Sequence, residues 1–342
     1  YKQERESYAI YSNFTYDLNA STSVYLGFRY TDDEGTFKNL SSYVGDYDRT
    51  PVYNLIPYLP TYDPSAVMED RNYDDTEPTG KLGIDHKFNE DTLLYASYSR
   101  GYRSSAFNGG AIFSEEDANI ASPEFVDAYE VGLKTQFMDN RIQVNGAAFF
   151  YDYEDQQFIN VIGINQTLEN AGSSEIYGID LEASMLLSDR LSVQLGLGLI
   201  DTEFKKLELN DPATNTDRDY SGNQLQQAPE VNFNAAVDYL LGQWSSGELT
   251  LHLDTTYQDE QYFSAYNDAP GFENIRADSY WQSNGQLRFD DASERYSISL
   301  WVKNIEENVE PIYALSLSSG YGYDYTAVGA PRTYGADFTL RF

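Results

Sequence analysis

Along most of this chain, apolar and polar residues alternate with a period of two, in stretches of about ten residues. The last eleven residues show it most clearly. Tyr334, Ala336, Phe338, Leu340 and Phe342 fall on one side of an extended strand, and Thr333, Gly335, Asp337, Thr339 and Arg341 on the other. The same reading places Val24, Leu26, Phe28 and Tyr30 on one face of a strand over 21–31, and Tyr129, Val131 and Leu133 opposite Glu130, Lys134 and Gln136 over 125–137. It sets Tyr177, Ile179, Leu181, Ala183 and Met185 against Gly178, Asp180, Glu182 and Ser184 over 174–187. Further strands are predicted over 6–17, 81–88, 92–102, 142–153, 191–199, 231–241, 249–257, 281–290 and 296–304. That makes about 13 with the closing strand. Strands of this length, apolar on one face only, fit a tilted transmembrane β-strand.

The connections strengthen that reading. They alternate between roughly three to six residues and roughly fifteen to forty-five, and loops of the second kind are unusual in compact soluble domains. A soluble sandwich also alternates along its strands, but it has no reason to put every long loop on one edge. Short turns at one end and long loops at the other are the outer-membrane arrangement. The expected fold is therefore all-β, a transmembrane antiparallel up-and-down β-barrel. Bacterial single-chain barrels have an even number of strands, so a count of 13 implies either one more strand, for which 311–318 is the candidate, or a larger barrel.

Composition changes the picture at four points. A formal charge of −33, from 55 acidic and 22 basic residues, speaks against nucleic acid as a partner. No run of about 18 apolar residues exists, so no transmembrane helix is expected. There is no cysteine for a disulfide or thiolate metal site. The 31 Tyr and 18 Phe suit strands and membrane interfaces, where an apolar ring with a polar tip is useful.

Several stretches resemble the C-terminal β-barrel of TonB-dependent outer-membrane receptors. Leu94-Tyr-Ala-Ser-Tyr-Ser-Arg-Gly-Tyr-Arg-Ser-Ser-Ala-Phe-Asn108 is similar to a run of that family, with Ser105-Ala106 where the family often has glycine. Pro123-Glu-x-x-Asp-Ala-Tyr-Glu-Val-Gly-Leu-Lys134, Asn170-Ala-Gly-x-x-x-Ile-Tyr-Gly-Ile-Asp-Leu-Glu182, Val302-Lys-Asn-Ile305 and Pro331-Arg-Thr-Tyr-Gly335 through Phe342 follow in family order. The resemblance implies a barrel of a probable 22 strands, of which residues 1–342 are the C-terminal part, with the plug and about nine strands outside this chain. It implies uptake of an iron-siderophore, haem, cobalamin or a glycan, driven by TonB and its inner-membrane energising complex through the missing N-terminal region. Without a plug the chain taken alone is not expected to transport actively. The terminal Phe342 is the implied assembly signal. The outer membrane and its lipopolysaccharide are the expected surroundings, no cofactor is called for, and a passive porin is the alternative.

No catalytic set stands out. His86 and His252 lie on predicted strands without histidine or cysteine neighbours, and structural or lumen-facing roles are expected for them over metal ligation. No Gly-x-Ser-x-Gly elbow is present. Candidate ligand contacts are loop aromatics able to stack on a planar ligand: Tyr262, Phe263 and Tyr266, then Tyr321, Tyr323 and Tyr325 on a glycine-flexed loop, with Tyr53, Tyr58 and Tyr62 posing the same choice. Rim packing is the competing role for all of them. The acidic groups Asp46/Asp48, Asp70/Asp74/Asp75 and Glu115/Glu116/Asp117 read as solvated loop faces before they read as calcium sites. Glu130, Lys134, Asp180, Glu182, Asp238, Asp254, Arg288, Asp337 and Arg341 are expected to face the lumen or a plug.

Overall fold

The computed structural model describes residues 2–38, 70–109, 119–162, 165–211, 214, 216–318 and 322–342. Thirteen long strands form one antiparallel sheet in strict sequence order. They are β1 (Lys2–Asn19), β2 (Thr22–Lys38), β3 (Arg71–Lys87), β4 (Thr92–Arg103), β5 (Glu124–Phe137), β6 (Ile142–Glu154), β7 (Ser173–Ser188), β8 (Leu191–Lys206), β9 (Val231–Trp244), β10 (Gly247–Gln258), β11 (Tyr280–Asp291), β12 (Tyr296–Lys303) and β13 (Thr333–Leu340). Each strand pairs with the next, so every register is a hairpin register. Among the described residues, β1 and β13 each pair on one side only.

The pairing carries the period-two pattern across the sheet. Leu82 of β3 stands opposite Leu26 of β2 and Tyr98 of β4, Ile179 of β7 opposite Ala148 and Leu199, and Leu300 of β12 opposite Leu287 and Ala336. These residues share one face and are largely exposed: Leu82 by 55%, Leu300 by 57%. That is the signature of a surface whose solvent is hydrocarbon. The face is bounded by aromatic rows. Tyr98, Tyr129, Phe150 and Tyr177 lie side by side on β4 to β7. On β9 to β11, Phe233, Tyr257 and Trp281 do the same, with ring centroids 5.0–5.9 Å from Trp281. Eight residues towards the short turns come Phe137 and Phe289. At about 3.3 Å per residue this separates the rows by roughly 26 Å of strand, which at the usual tilt of such strands is about 20 Å of membrane height, near that of an outer-membrane apolar band.

On the opposite face, cross-strand pairs join aromatic residues to glycine. Tyr95 of β4 lies over Gly132 of β5, where an added Cβ would meet the ring at 2.4 Å. The Tyr95 hydroxyl donates to Glu130 at 2.7 Å, and the Lys134 ammonium sits 5.7 Å from its ring centroid. Glycine there lets the ring lie flat on the sheet.

One expectation needs correction, and one alternative falls away. The segment around Asp74 and Asp75 reads as loop in the sequence, but β2 and β3 stay paired through Phe37–Arg71, well beyond their apolar stretch. Period two persists there with mainly polar or small residues on the buried side: Thr31, Asp33 and Gly35 are buried, and Phe37 is the one large apolar residue among them. Hydropathy therefore carries no signal for it. The extra strand sought at 311–318 exists as Pro311–Ser316, but it pairs with Asp324–Val328 in a separate hairpin and leaves the sheet at thirteen strands.

Candidate functional site

The short connections lie at one end of the sheet, and the long ones gather at the other with structure of their own. Four two-stranded pairings stand on them besides the 311–328 hairpin: Ala106–Phe107 with Ile120–Ala121, Gln157–Ile162 with Asn165–Asn170, Glu208–Asp211 with Thr216–Asp219, and Gln261–Tyr262 with Arg276–Ala277. All but the first share an apolar core that includes Phe204, Leu207, Leu209, Tyr220, Leu225, Phe263, Tyr266, Phe272 and Ile275, while Phe107 and Ile120 of the first pack with Phe37 and Tyr73. Carboxamides tie the connections together. Asn267 accepts from the Gln224 N–H at 2.8 Å and donates to its carbonyl at 3.0 Å, and Asn223 donates to Ala265 O at 2.8 Å. Gln157 donates to Ser104 O at 2.9 Å and to Ser122 O at 2.7 Å, while Asn108 donates to Gln166 O at 2.7 Å. Ser105, where the family pattern often has glycine, gives both its N–H (2.7 Å) and hydroxyl (3.0 Å) to Asp75.

Within this layer is a cavity of about 580 Å³, the size of a small-molecule site. Its walls come from Phe158, Ile159 and Leu168 of one hairpin, Phe263, Phe272 and Ile275 of the 259–279 connection, and Tyr313 to Ser316 of the last. The polar lining is Gln157, Asn160, Gln226 and Gln227, with Arg103 at one side. Arg103 is held by Glu124 at 2.9 Å and donates to Gln157 O at 3.1 Å.

Of the loop aromatics singled out from sequence, Phe263 lines this cavity, with Tyr313 edge-on to it at 6.3 Å. Tyr266 supports the cavity from behind. Only 2% exposed, it stacks on Phe272 at 4.2 Å and meets Tyr220 edge-on at 5.0 Å. Its hydroxyl donates to Asn210 O at 2.8 Å and accepts from Asn160 Nδ2 at 3.3 Å. Burial pushes the Tyr266 phenol above its ordinary range. Tyr262 is half-buried beside it and donates to Asp268 at 2.8 Å; burial, then that carboxylate, raises its phenol too. Tyr323 and Tyr325 are more than half exposed and stand apart from the cavity. Tyr321, Tyr53, Tyr58 and Tyr62 lie outside the described residues, as do Asp46, Asp48 and Glu115 to Asp117.

Eight of the polar-face candidates share the face opposite the exposed apolar one. Glu130 and Lys134 flank Tyr95, while Asp180 and Glu182 stand opposite Gly198 and Gly196. Asp238 and Asp254 hold His252 between them at 2.8 and 3.3 Å. Arg288 forks onto Asp290 at 2.7 and 2.8 Å, and Asp337 pairs with Ser299. Arg341 lies past the end of β13 and donates to Glu294 O at 3.1 Å. His86 is on the apolar face near the short turns, bonded to Thr22 Oγ1 at 2.9 Å and edge-on to Phe88.

Sequence reasoning missed Gln157, Asn160, Arg103 and Gln226. The clue was compositional: uncharged carboxamides clustered at 156–166 in an otherwise acidic chain.

The sequence matches the family model "TonB dependent receptor-like, beta-barrel" over residues 1–305. It is 23% identical over 300 residues to the pesticin receptor of Yersinia pestis, covering 88% of this chain and 39% of that protein. To the ferrichrome outer membrane transporter/phage receptor of Escherichia coli (strain K12) it is 25% identical over 269 residues, covering 79% and 32%. The fold is similar to that of the ferric yersiniabactin uptake receptor FyuA from Yersinia pestis, with a TM-score of 0.76 and 21% identity over 99% of this chain and 46% of that one. It is also similar to the siderophore receptor PiuA from Acinetobacter baumannii, with a TM-score of 0.72 and 18% identity over 98% and 43%. The chain thus spans less than half the length of the proteins it matches. The lipid-type face, its aromatic rows and this match together show that the chain belongs to the TonB-dependent receptor β-barrel family, whose barrels lie in the outer membrane of Gram-negative bacteria.

Proposed function

We propose that this chain is part of a receptor that binds a ferric siderophore in the cavity of the long connections and takes it across the outer membrane with energy from TonB. The observation that carries the reading is the cavity itself: about 580 Å³, walled by aromatic and aliphatic side chains, with a few fixed carboxamides. Relatives whose names specify ferrichrome or ferric yersiniabactin support iron chelates as the cargo. A passive porin needs no such enclosed site on a layer of interlocked loops. Phe263 and Tyr313 are proposed as ligand contacts, with Tyr266 and Tyr262 holding them in place.

In this reading the polar face, with Glu130, Lys134, Asp180, Glu182, Asp238, Asp254, Arg288 and Asp337, is the wall towards the lumen and any plug. The two open sheet edges fit a sheet that is one part of a larger barrel. The outer-face cluster of Arg100 with Asp127 (2.5 Å) and Glu154 (3.8 Å), just beyond the Tyr98–Tyr129 row, is placed to meet lipopolysaccharide headgroups. The test is uptake of radioactive iron from ferric siderophores by cells carrying the full-length receptor, with and without functional TonB. Uptake that depends on both receptor and TonB is expected. Receptor-dependent uptake indifferent to TonB overturns the proposal.

A further inference from the structure

The charge around the cavity narrows which chelate it admits. The long connections, residues 39–70, 104–123, 155–172, 207–230, 259–279 and 304–332, carry 24 acidic residues against 4 basic ones. They hold more than half of the chain's net charge of −33. The cavity departs from this composition, because no carboxylate lines it among the described residues. Its polar groups are mainly carboxamides, which offer donors and acceptors at no net charge. Arg103 is the one charged lining residue among the described residues, and Glu124 already neutralises it at 2.9 Å.

The adjoining cavity, of about 520 Å³, shares Arg103 and adds Arg5, Arg29 and Arg100. Arg5 is paired with Asp33 at 3.1 Å and Arg100 with Asp127 at 2.5 Å. Arg29 alone has no carboxylate within ion-pair distance among the described residues, and its Nε donates to Thr31. A multiply charged anion therefore meets a repelling surface on approach. Once desolvated in the first cavity, it finds there, among the described residues, no cation that is not already paired.

Resting on the siderophore reading above, we infer that the cavity selects ferric chelates of zero or positive net charge, as hydroxamate ligands form, and discriminates against tris-catecholate complexes. Three hydroxamate arms each bring one negative charge and cancel that of the ferric ion. Three catecholate arms each bring two and leave the complex trianionic. The Gln226 amide can donate to the carbonyl-derived and N–O oxygens around such an uncharged centre, while the amides of Gln157 and Asn160 are held by Ser104, Ser122, Glu169 and Tyr266 and fix the wall.

The test compares binding of an uncharged ferric tris-hydroxamate and a ferric tris-catecholate to the purified full-length receptor, followed by quenching of its intrinsic fluorescence. The hydroxamate complex should bind at least about tenfold more tightly at low ionic strength, and the gap should narrow as salt screens the rim. Equal or tighter binding of the trianion overturns this inference and leaves the siderophore reading standing. Binding of neither probe, with no receptor-dependent iron uptake in cells, overturns both. Gln226→Lys puts a cation on the wall and removes no hydrogen bond seen in the structure, so it should shift selectivity towards the catecholate by about tenfold. An unchanged ratio in a variant that still binds the hydroxamate also overturns the inference.

Discussion

Ile179 and Ile275 are the same residue type in opposite situations. Ile179 sits in the middle of β7 and is 44% exposed; Ile275 sits in a long connection and is 1% exposed. The contrast holds across the molecule. The apolar residues of the sheet point outward into lipid, and the buried apolar residues belong almost entirely to the layer of connections at one end. The sheet is held by a ladder of backbone hydrogen bonds, interrupted only by irregularities near strand ends, which lipid makes costly to break. The layer is held like a small soluble domain, by an apolar core and side chains that satisfy loop backbone. The two regions should therefore respond separately to substitution.

The largest separation is expected from Tyr266→Ala. Removing a buried ring that stacks on Phe272 and Tyr220 should cost the loop layer about 3–5 kcal/mol. Protease cleavage within 207–230 and 259–279 should rise sharply while β-sheet content in lipid vesicles stays the same. Simultaneous loss of both would show that the layer and sheet are one cooperative unit. The converse case is Leu197→Arg, on the apolar face opposite Leu181 and Phe233. It should cost about 2–4 kcal/mol near the bilayer midplane, whereas Gln194→Arg on the polar face should be tolerated. Denaturant titration in vesicles checks the pair, and equal tolerance at both positions sinks the assignment of faces. Asn267→Ala should have a smaller effect, about 1–3 kcal/mol. It strips both the N–H and the carbonyl of Gln224 of their partner. Faster hydrogen exchange confined to 221–228 is the expected readout.

The same contrast explains what could be read in the sequence. A strand between lipid and a polar interior must alternate, so the faces of 21–31, 125–137 and 174–187 were legible, as was the strand count. The paired extension through Asp33 and Asp75 was not, because its buried side is polar: Asp33 is held by Arg5, and Asp75 by Ser105. The loop aromatics were recognisable as a set, but their roles were not. Tyr262, Phe263 and Tyr266 are near neighbours in sequence, yet one binds a carboxylate, one lines the cavity and one is packed behind it. Those assignments depend on residues from 158, 210, 220 and 272, which only the folded layer brings together.

The smallest expected effect is also the most selective test of that layer. The Tyr266 phenol is held above its ordinary value of 10.0, first by burial, with Glu169 and Asp211 adding to the shift. The unfolded loop therefore releases this proton at lower pH than the packed one. The stabilisation is fully present below pH 10.0 and is lost as pH rises through the higher folded value. Raising pH above 10.0 should open the loop layer to proteolysis while the sheet, held by backbone hydrogen bonds that do not titrate there, persists in vesicles. Tyr266→Phe removes the titration and two hydrogen bonds but keeps the ring. It should cost roughly 1 kcal/mol at neutral pH and abolish the part of the alkaline opening that belongs to this residue. If the alkaline opening is unchanged in Tyr266→Phe, other tyrosines of the layer, Tyr220 first among them because burial raises its phenol as well, control that opening.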